Sequence, residues 1–242
     1  MEYIHNTEQF QFHNTVVALG KFDGMHKGHQ LIFDELIQYK QLGYQAAVFS
    51  FDRPPLNMLK HKHMRVIYTT NEKIKLLARR GIDIYIEHPF TDEFSHLSPE
   101  DFVIKVLLEK TGMKVLVVGD DCGFGYKRQG NVELLERMSK EYDFKLIVIP
   151  KLELEGEIVS STRIRHLLSE GKVEEANRLM EDPFMICGSV VHGNHMGAEV
   201  LQMPTANQIP LEDKLLPPNG VYVSRIHYKD ETYTELVMIG EA

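Results

Sequence analysis

Only two cysteines occur in the 242 residues, Cys122 and Cys187. They are too few for a disulfide framework and show no metal-binding spacing, so reduced thiols in a cytoplasmic protein are expected. No apolar run approaches the roughly 20 residues that a membrane helix needs. The opening MEYIHNTEQF lacks a basic segment followed by an apolar one, so no signal peptide is expected. Positive charge is also scarce. Twenty-seven Lys and Arg face 35 Asp and Glu, a net charge of −8. That balance argues against a broad nucleic-acid face, yet it permits a local patch for the phosphates of a small ligand. There is no internal repeat and no low-complexity tract. What remains, 43% hydrophobic and 26% charged, is the composition of a globular chain of one large domain or two modest ones.

The most informative stretch is Val16 to His29, VVALGKFDGMHKGH. Val16-Val17-Ala18-Leu19 is long enough for one buried strand. Gly20 and Asp23-Gly24 signal a turn, and from Gly28 the apolar spacing becomes helical at Leu31, Ile32, Leu36 and Ile37. A strand that turns through glycines into a helix N-terminus makes an anion site. Free N–H groups and the positive end of the helix dipole point at one spot, and glycine lets a phosphate come close. His26 and His29, three apart, are predicted to share a face there and to donate hydrogen bonds to phosphate oxygens. The same turn also occurs in folds that bind nothing, so spacing alone leaves the question open.

Strands are predicted at 46–51, 82–86, 114–118 and 145–149, alternating with helices that run to about Gln41 and over about 71–80, 98–111 and 131–142. Residues 1–12 are expected to pair at the surface or to cover an edge. Thr70 is the expected cap of the second helix and Ser98-Pro99 the start of the third. Residues 56–68 form a basic loop, read either as a solvated charge run or as a flap beside an anion. The alternation implies an α/β fold with a doubly wound parallel sheet, whose ligands sit at the carboxyl ends of the strands. Two further strand-to-helix turns therefore stand out. Gly119 to Gly130, GDDCGFGYKRQG, offers two carboxylates, Phe124, Tyr126 and Lys127-Arg128. Val159 to Arg165, VSSTRIR, enters a helix capped by Ser160 or Ser161, with hydroxyls and guanidinium forks suited to phosphate.

His26-Lys27-Gly28-His29 resembles the HxGH signature of the adenylyltransferase branch of α/β nucleotide-binding proteins. The longer GKFDGMHKGH resembles the prokaryotic FAD synthetases, which are usually fused to a riboflavin kinase. VSSTRIR, about 130 residues further on, resembles the ISSTxIR signature of the same branch. In the middle turn Val118-Gly119-Asp120-Asp121, Phe124-Gly125, Arg128 and Gly130 match the family's VGxDFxFGxxRxG. Cys122 replaces an aromatic there and Gly123 an arginine.

The resemblance implies adenylyl transfer from ATP to FMN, with Mg²⁺ as the bridging ion. His26, His29, Ser160, Ser161, Thr162, Arg163 and Arg165 would stabilise the α-phosphoryl group and the leaving pyrophosphate. ATP would rest against Gly20, Phe22, Asp23, Gly24, Gly28, Gly119 and Asp120. The flavin would meet Phe49, Phe51, Pro54, Asp121, Phe124 and Arg128. The partners implied are these small molecules, with no nucleic acid and no membrane.

At Asp182-Pro183 the pattern changes to short β segments, so residues 1–182 and 183–242 read as two modules. The second resembles the front of a riboflavin kinase barrel, GxVxxGxxxGRxLGxPTAN. Gly188, Val190, Gly193, Gly197, Leu201 and Pro204 to Asn207 match, while Ala198 stands for Arg and Gln202 for Gly. In that family the Thr and Asn, here Thr205 and Asn207, hold Mg²⁺. The catalytic carboxylate of the resembled barrel lies beyond Ala242. The expectation is therefore a small, incomplete antiparallel barrel with weak or no kinase activity, whose open edge offers a surface for self-association. Two other functions stay open on sequence alone: a flavin-binding regulatory protein, and adenylyl transfer to another phosphate substrate.

Overall fold

Val16, Val17 and Ala18 are fully buried at the centre of a six-stranded sheet. The computed structural model describes residues 1–52, 65–191, 206–229 and 231–240. Pro54, most of the basic loop, and the kinase-signature residues Gly193, Gly197, Leu201, Pro204 and Thr205 lie outside the described residues.

In chain order the first elements are β1 (Glu2–His5), β2 (Thr15–Leu19), α1 (Lys27–Gln41), β3 (Gln45–Phe51), α2 (Thr70–Arg79) and β4 (Ile84–His88). A short α3 (Asp92–Ser95) and α4 (Pro99–Asp101) follow, the latter continuing as a π-helix over Phe102–Leu108. Then come β5 (Met113–Gly119), α5 (Val132–Glu141), β6 (Lys145–Ile149), a two-residue pair β7 (Glu153–Leu154) and β8 (Glu157–Ile158), α6 (Ser161–Ser169) and α7 (Val173–Leu179). The large sheet runs β1-β4-β3-β2-β5-β6, and every neighbouring pair in it is parallel. The chain therefore winds one way from β2 through β3 and the other way from β5 to β6. The reversal falls between β2 and β5, whose carboxyl ends carry the first two glycine-rich turns.

Alternate side chains of each strand fill two separate cores, as the period of two requires. Val16, Ala18, Val48 and Val117 meet α1, α2, α6 and α7 on one face. Val17, Leu19, Ala47, Phe49 and Leu116 meet the π-helix and α5 on the other. Both faces are covered, which is why the central strands are apolar throughout.

Residues 2–5 pair along one edge of the sheet, where they add a sixth parallel strand beside β4. Two details differ from the sequence reading. The cap of α2 is Thr69 rather than Thr70, since Thr69 and Glu72 close a reciprocal capping box. The helix predicted over 98–111 changes to π geometry after its first turn, with Glu109 N–H bonding the Ile104 carbonyl. After α7 the chain forms two antiparallel pairs, β9 (Gly188–Val191) with β10 (Asn207–Pro210) and β11 (Gly220–Tyr228) with β12 (Glu231–Ile239).

Candidate active site

The turn after β2 is sharply wound. Phe22, Gly24 and Met25 all have positive φ, at 48°, 80° and 36°. Two of these are not glycine, and burial of their side chains in the core holds the conformation. Gly24 has a second constraint: a Cβ there would sit 3.0 Å from Ile67. The winding turns Asp23 inward. Its Oδ1 accepts the N–H groups of Ile67 and Tyr68 at 3.0 and 3.2 Å. Its Oδ2 pairs with the Arg165 guanidinium, which also donates to the Arg65 carbonyl. The Ser161 hydroxyl donates to the Asp23 carbonyl at 2.6 Å. One residue of the first turn thus fastens the third turn to it across 138 residues of chain.

His26 is the N-cap of α1, and its Nδ1 accepts the His29 N–H at 3.3 Å. An accepting Nδ1 places the proton of the neutral ring on Nε2, which is free to donate. The two imidazoles stack, with centroids 3.6 Å apart. Burial pushes the His26 pKa down to about 4. Burial, and then the neighbouring His26, push His29 well below the ordinary value. Both rings are therefore neutral at pH 7. His29 Nδ1 is buried without a hydrogen-bond partner, as is Arg163 Nη1. Of these two residues only His29 lines the cavity described below.

A stability profile follows from linkage. The unfolded chain takes up a proton on His26 near pH 6.5, and the folded chain refuses it until about pH 4. The contribution is complete above pH 6.5 and is lost as pH falls toward 4. Melting temperature should drop over that window. His26→Asn, which keeps a capping oxygen, should flatten the drop when melting is followed against pH.

A cavity of about 1030 Å³ opens where the turns meet. Its polar wall holds Gly20, Phe22, His26, Gly28 and His29 from the first turn. Gly119, Asp120, Asp121, Phe124 and Arg128 line it from the second, and Ser160, Ser161 and Thr162 from the third. The apolar wall is a run of rings, Phe51, Phe90, Phe94, Phe102 and Phe124, in which Phe51 and Phe94 lie 5.7 Å apart and Phe94 and Phe102 5.8 Å. The acidic pair of the second turn is already engaged. Asp120 Oδ2 accepts the Lys151 N–H at 3.2 Å, and Asp121 pairs with Lys151 Nζ at 3.1 Å. At Gly123 a Cβ would lie 2.8 Å from Arg128 Nε. The Arg128 guanidinium therefore occupies the space that a side chain at 123 would need.

Several expected residues are placed elsewhere. Phe49 is fully buried in the core, stacked on His88 at 5.6 Å, and does not line the cavity. It shares a face with Phe51, but only Phe51 stands at the open end of β3. Asp23 and Gly24 do not line the cavity either, because the carboxylate is turned inward. Neither arginine of α6 is on the wall: Arg163 pairs with Glu157 at 3.0 Å and Arg165 with Asp23. Asn207 begins β10, exposed and apart from the cavity. Pro54 and Thr205 fall outside the described residues.

Other lining residues went unremarked in the sequence. Lys21 lies inside the first motif, its proton affinity lowered by burial and then by the Arg128 charge. Phe90, Phe94 and His96 follow the carboxyl end of β4. The rule that placed ligands at strand ends pointed to that segment, but no motif drew attention to it.

Comparison with known proteins gives the family. The sequence model of the FAD synthetase family matches residues 8–163, and that of riboflavin kinase matches 180–242. The chain belongs to the FAD synthetase family. A bifunctional riboflavin kinase/FMN adenylyltransferase of Buchnera aphidicola subsp. Schizaphis graminum is 38% identical over 92% of this chain and 72% of its own length. Its counterpart in Listeria monocytogenes is 35% identical over 98% of this chain and 77% of its own length. A crystal structure described as a macrolide-efflux protein from Streptococcus pneumoniae superposes with a TM-score of 0.86 at 30% identity, covering 98% of this chain and 78% of that one. Among the described residues of this FAD synthetase family member, no helix is long and apolar enough to cross a membrane.

Proposed function

We propose that the chain transfers AMP from ATP to FMN, releasing pyrophosphate and forming FAD. A phosphate oxygen of FMN attacks the α-phosphorus of ATP. The bond from that phosphorus to the bridging oxygen breaks, and its electron pair leaves with pyrophosphate. The attacking phosphate is already anionic near pH 7, so alignment and charge stabilisation dominate over base catalysis. The observation that carries the reading is the convergence of His26, His29 and Ser160 to Thr162 on one cavity at the carboxyl ends of the strands.

In this reading His26 Nε2–H and the His29 ring donate to the triphosphate, assisted by the N-terminal amides of α6 and the Ser160 and Thr162 hydroxyls, while the Ser161 hydroxyl stays on the Asp23 carbonyl. Lys21 and Lys151 add positive charge. Phe51, Phe90 and Phe94 stack beside the flavin ring. Arg163 leaves Glu157 for phosphate, whereas Arg165 keeps Asp23 in place. Among the described residues no group of three His, Cys, Asp or Glu could cage a metal ion. Mg²⁺ in such reactions is held by one or two carboxylates and the substrate's own phosphates. Of the wall carboxylates Asp92, Asp120 and Asp121, the last two would hold it on leaving Lys151, and the ion would neutralise triphosphate charge.

We assign this activity to residues 1–182 and a riboflavin-kinase-like module to 183–242. Riboflavin phosphorylation is proposed to be weak, on the ground that Ala198 and Gln202 replace the arginine and glycine of the resembled signature. A panel of acceptors tests the assignment. With ATP and Mg²⁺, FMN should be adenylylated in preference to nicotinate mononucleotide and phosphopantetheine. Preference for either of the others would refute the flavin assignment.

A further inference from the structure

Lys214 belongs to the second module, yet its side chain is fully buried against the first. Its Nζ donates to Glu72 Oε2 at 2.7 Å, to the Ile67 carbonyl at 2.6 Å and to the Met185 carbonyl at 2.5 Å. All three ammonium hydrogens are thereby used. The rings of Tyr68 and Phe184 face the same nitrogen at 5.0 and 4.4 Å. Glu72, also fully buried, accepts the Thr69 N–H with Oε2 at 2.8 Å and the Cys187 N–H with Oε1 at 2.6 Å. The backbone joins in, for Val66 donates to the Asp213 carbonyl at 2.7 Å and Leu215 to the Val66 carbonyl at 2.8 Å.

Residues 65–68 are thus held from two sides. Lys214 and its neighbours grip their carbonyls from behind. Asp23 receives the Ile67 and Tyr68 N–H groups in front, and the same Asp23 holds Arg165 and Ser161. A continuous chain of polar contacts runs from the second module to the wall of the cavity.

We propose that Lys214 is a positioning residue for adenylyl transfer: by fastening residues 66–68 it fixes Asp23, and through Asp23 the α6 N-terminus that faces the triphosphate. This rests on the adenylyl-transfer reading above. A buried ion pair is a weak source of stability, since apolar residues of similar volume often serve as well or better. What an apolar pair lacks is direction. Three aimed donors set where the Ile67 carbonyl lies, and small misplacements near a reacting phosphate are costly in rate.

The test is the double variant Lys214→Met with Glu72→Gln in the full chain. Methionine fills the lysine stem, and glutamine keeps one accepting oxygen and leaves no unpaired charge. Melting should fall, because the Ile67 and Met185 carbonyls lose their donor and one N–H loses its acceptor, so activity is read well below the unfolding transition. Amide hydrogen exchange at Ile67 and Tyr68 should quicken, and kcat for FAD formation should fall about tenfold or more while KM for FMN changes less. A purely structural role would leave kcat at the wild-type value once the variant is folded. Unchanged kcat, or a lowered kcat with unchanged exchange at Ile67 and Tyr68, overturns the proposal. Should the double variant not fold, Lys214→Arg, which keeps the positive charge beside Glu72 but cannot aim three donors from one nitrogen, carries the same three readings. A wild-type chain that makes no FAD sinks the adenylyl-transfer reading instead, and the exchange rates still decide whether Lys214 fastens the segment.

Discussion

His29→Ala should lower the turnover of FMN to FAD by roughly 10²- to 10³-fold, the loss typical when one preorganised donor to developing charge is removed. His29 is singled out over His26 because the two rings have different structural duties. His26 caps α1, so replacing it removes a cap worth about 1 kcal/mol as well as a proposed phosphate contact. His29 makes no such bond through its side chain, and its Nδ1 is buried without a partner. Its ring contacts are the stack on His26 and an edge contact to Phe22 at 5.2 Å. The variant should therefore melt within a few degrees of wild type. Steady-state FAD formation beside a melting curve checks both halves. Wild-type turnover in a folded His29→Ala protein would mean that the imidazole does not face the reacting phosphates.

Asp23→Ala should do the opposite, damaging the fold and the activity together. Its carboxylate satisfies two backbone N–H groups and one guanidinium, and its carbonyl receives the Ser161 hydroxyl. Removing the carboxylate strands all three donors in a largely buried place, at a cost of about 2–4 kcal/mol. The Arg165 tie between the first and third turns goes with it, leaving only the Ser161 bond to the main-chain carbonyl, so FAD formation should fall sharply even where the protein remains folded. Urea unfolding with a parallel activity assay measures both. Asp23→Asn keeps one acceptor and should be intermediate in stability. If Asp23→Ala lost activity with no change in stability, Asp23 would be a ligand contact instead of a fastening.

The sequence spoke most clearly where backbone needs and chemistry coincide. The apolar run before Gly20 had to be a buried strand, and the glycines and serines that follow strand ends could serve only as turns and caps. The cavity-lining members of the three motifs do converge there. What stayed hidden depended on direction. Nothing in GKFDGMHKGH says that positive φ at Phe22 and Met25 turns Asp23 away from the cavity. Phe49 and Phe51 have the same parity in one strand, so their pattern could not show that only the second reaches the open end. The arginines of VSSTRIR suit phosphate by type, yet Glu157 and Asp23 hold them. Lys214 lies among ordinary surface-like residues, and only the fold shows that it is buried against Glu72.

The account stands on one reaction at the place where the three turns meet. The purified chain, given FMN, ATP and Mg²⁺, should form FAD and pyrophosphate in equal amounts, followed by chromatography and a coupled pyrophosphate assay. FMN left unchanged under conditions where the protein is folded and binds ATP would contradict it.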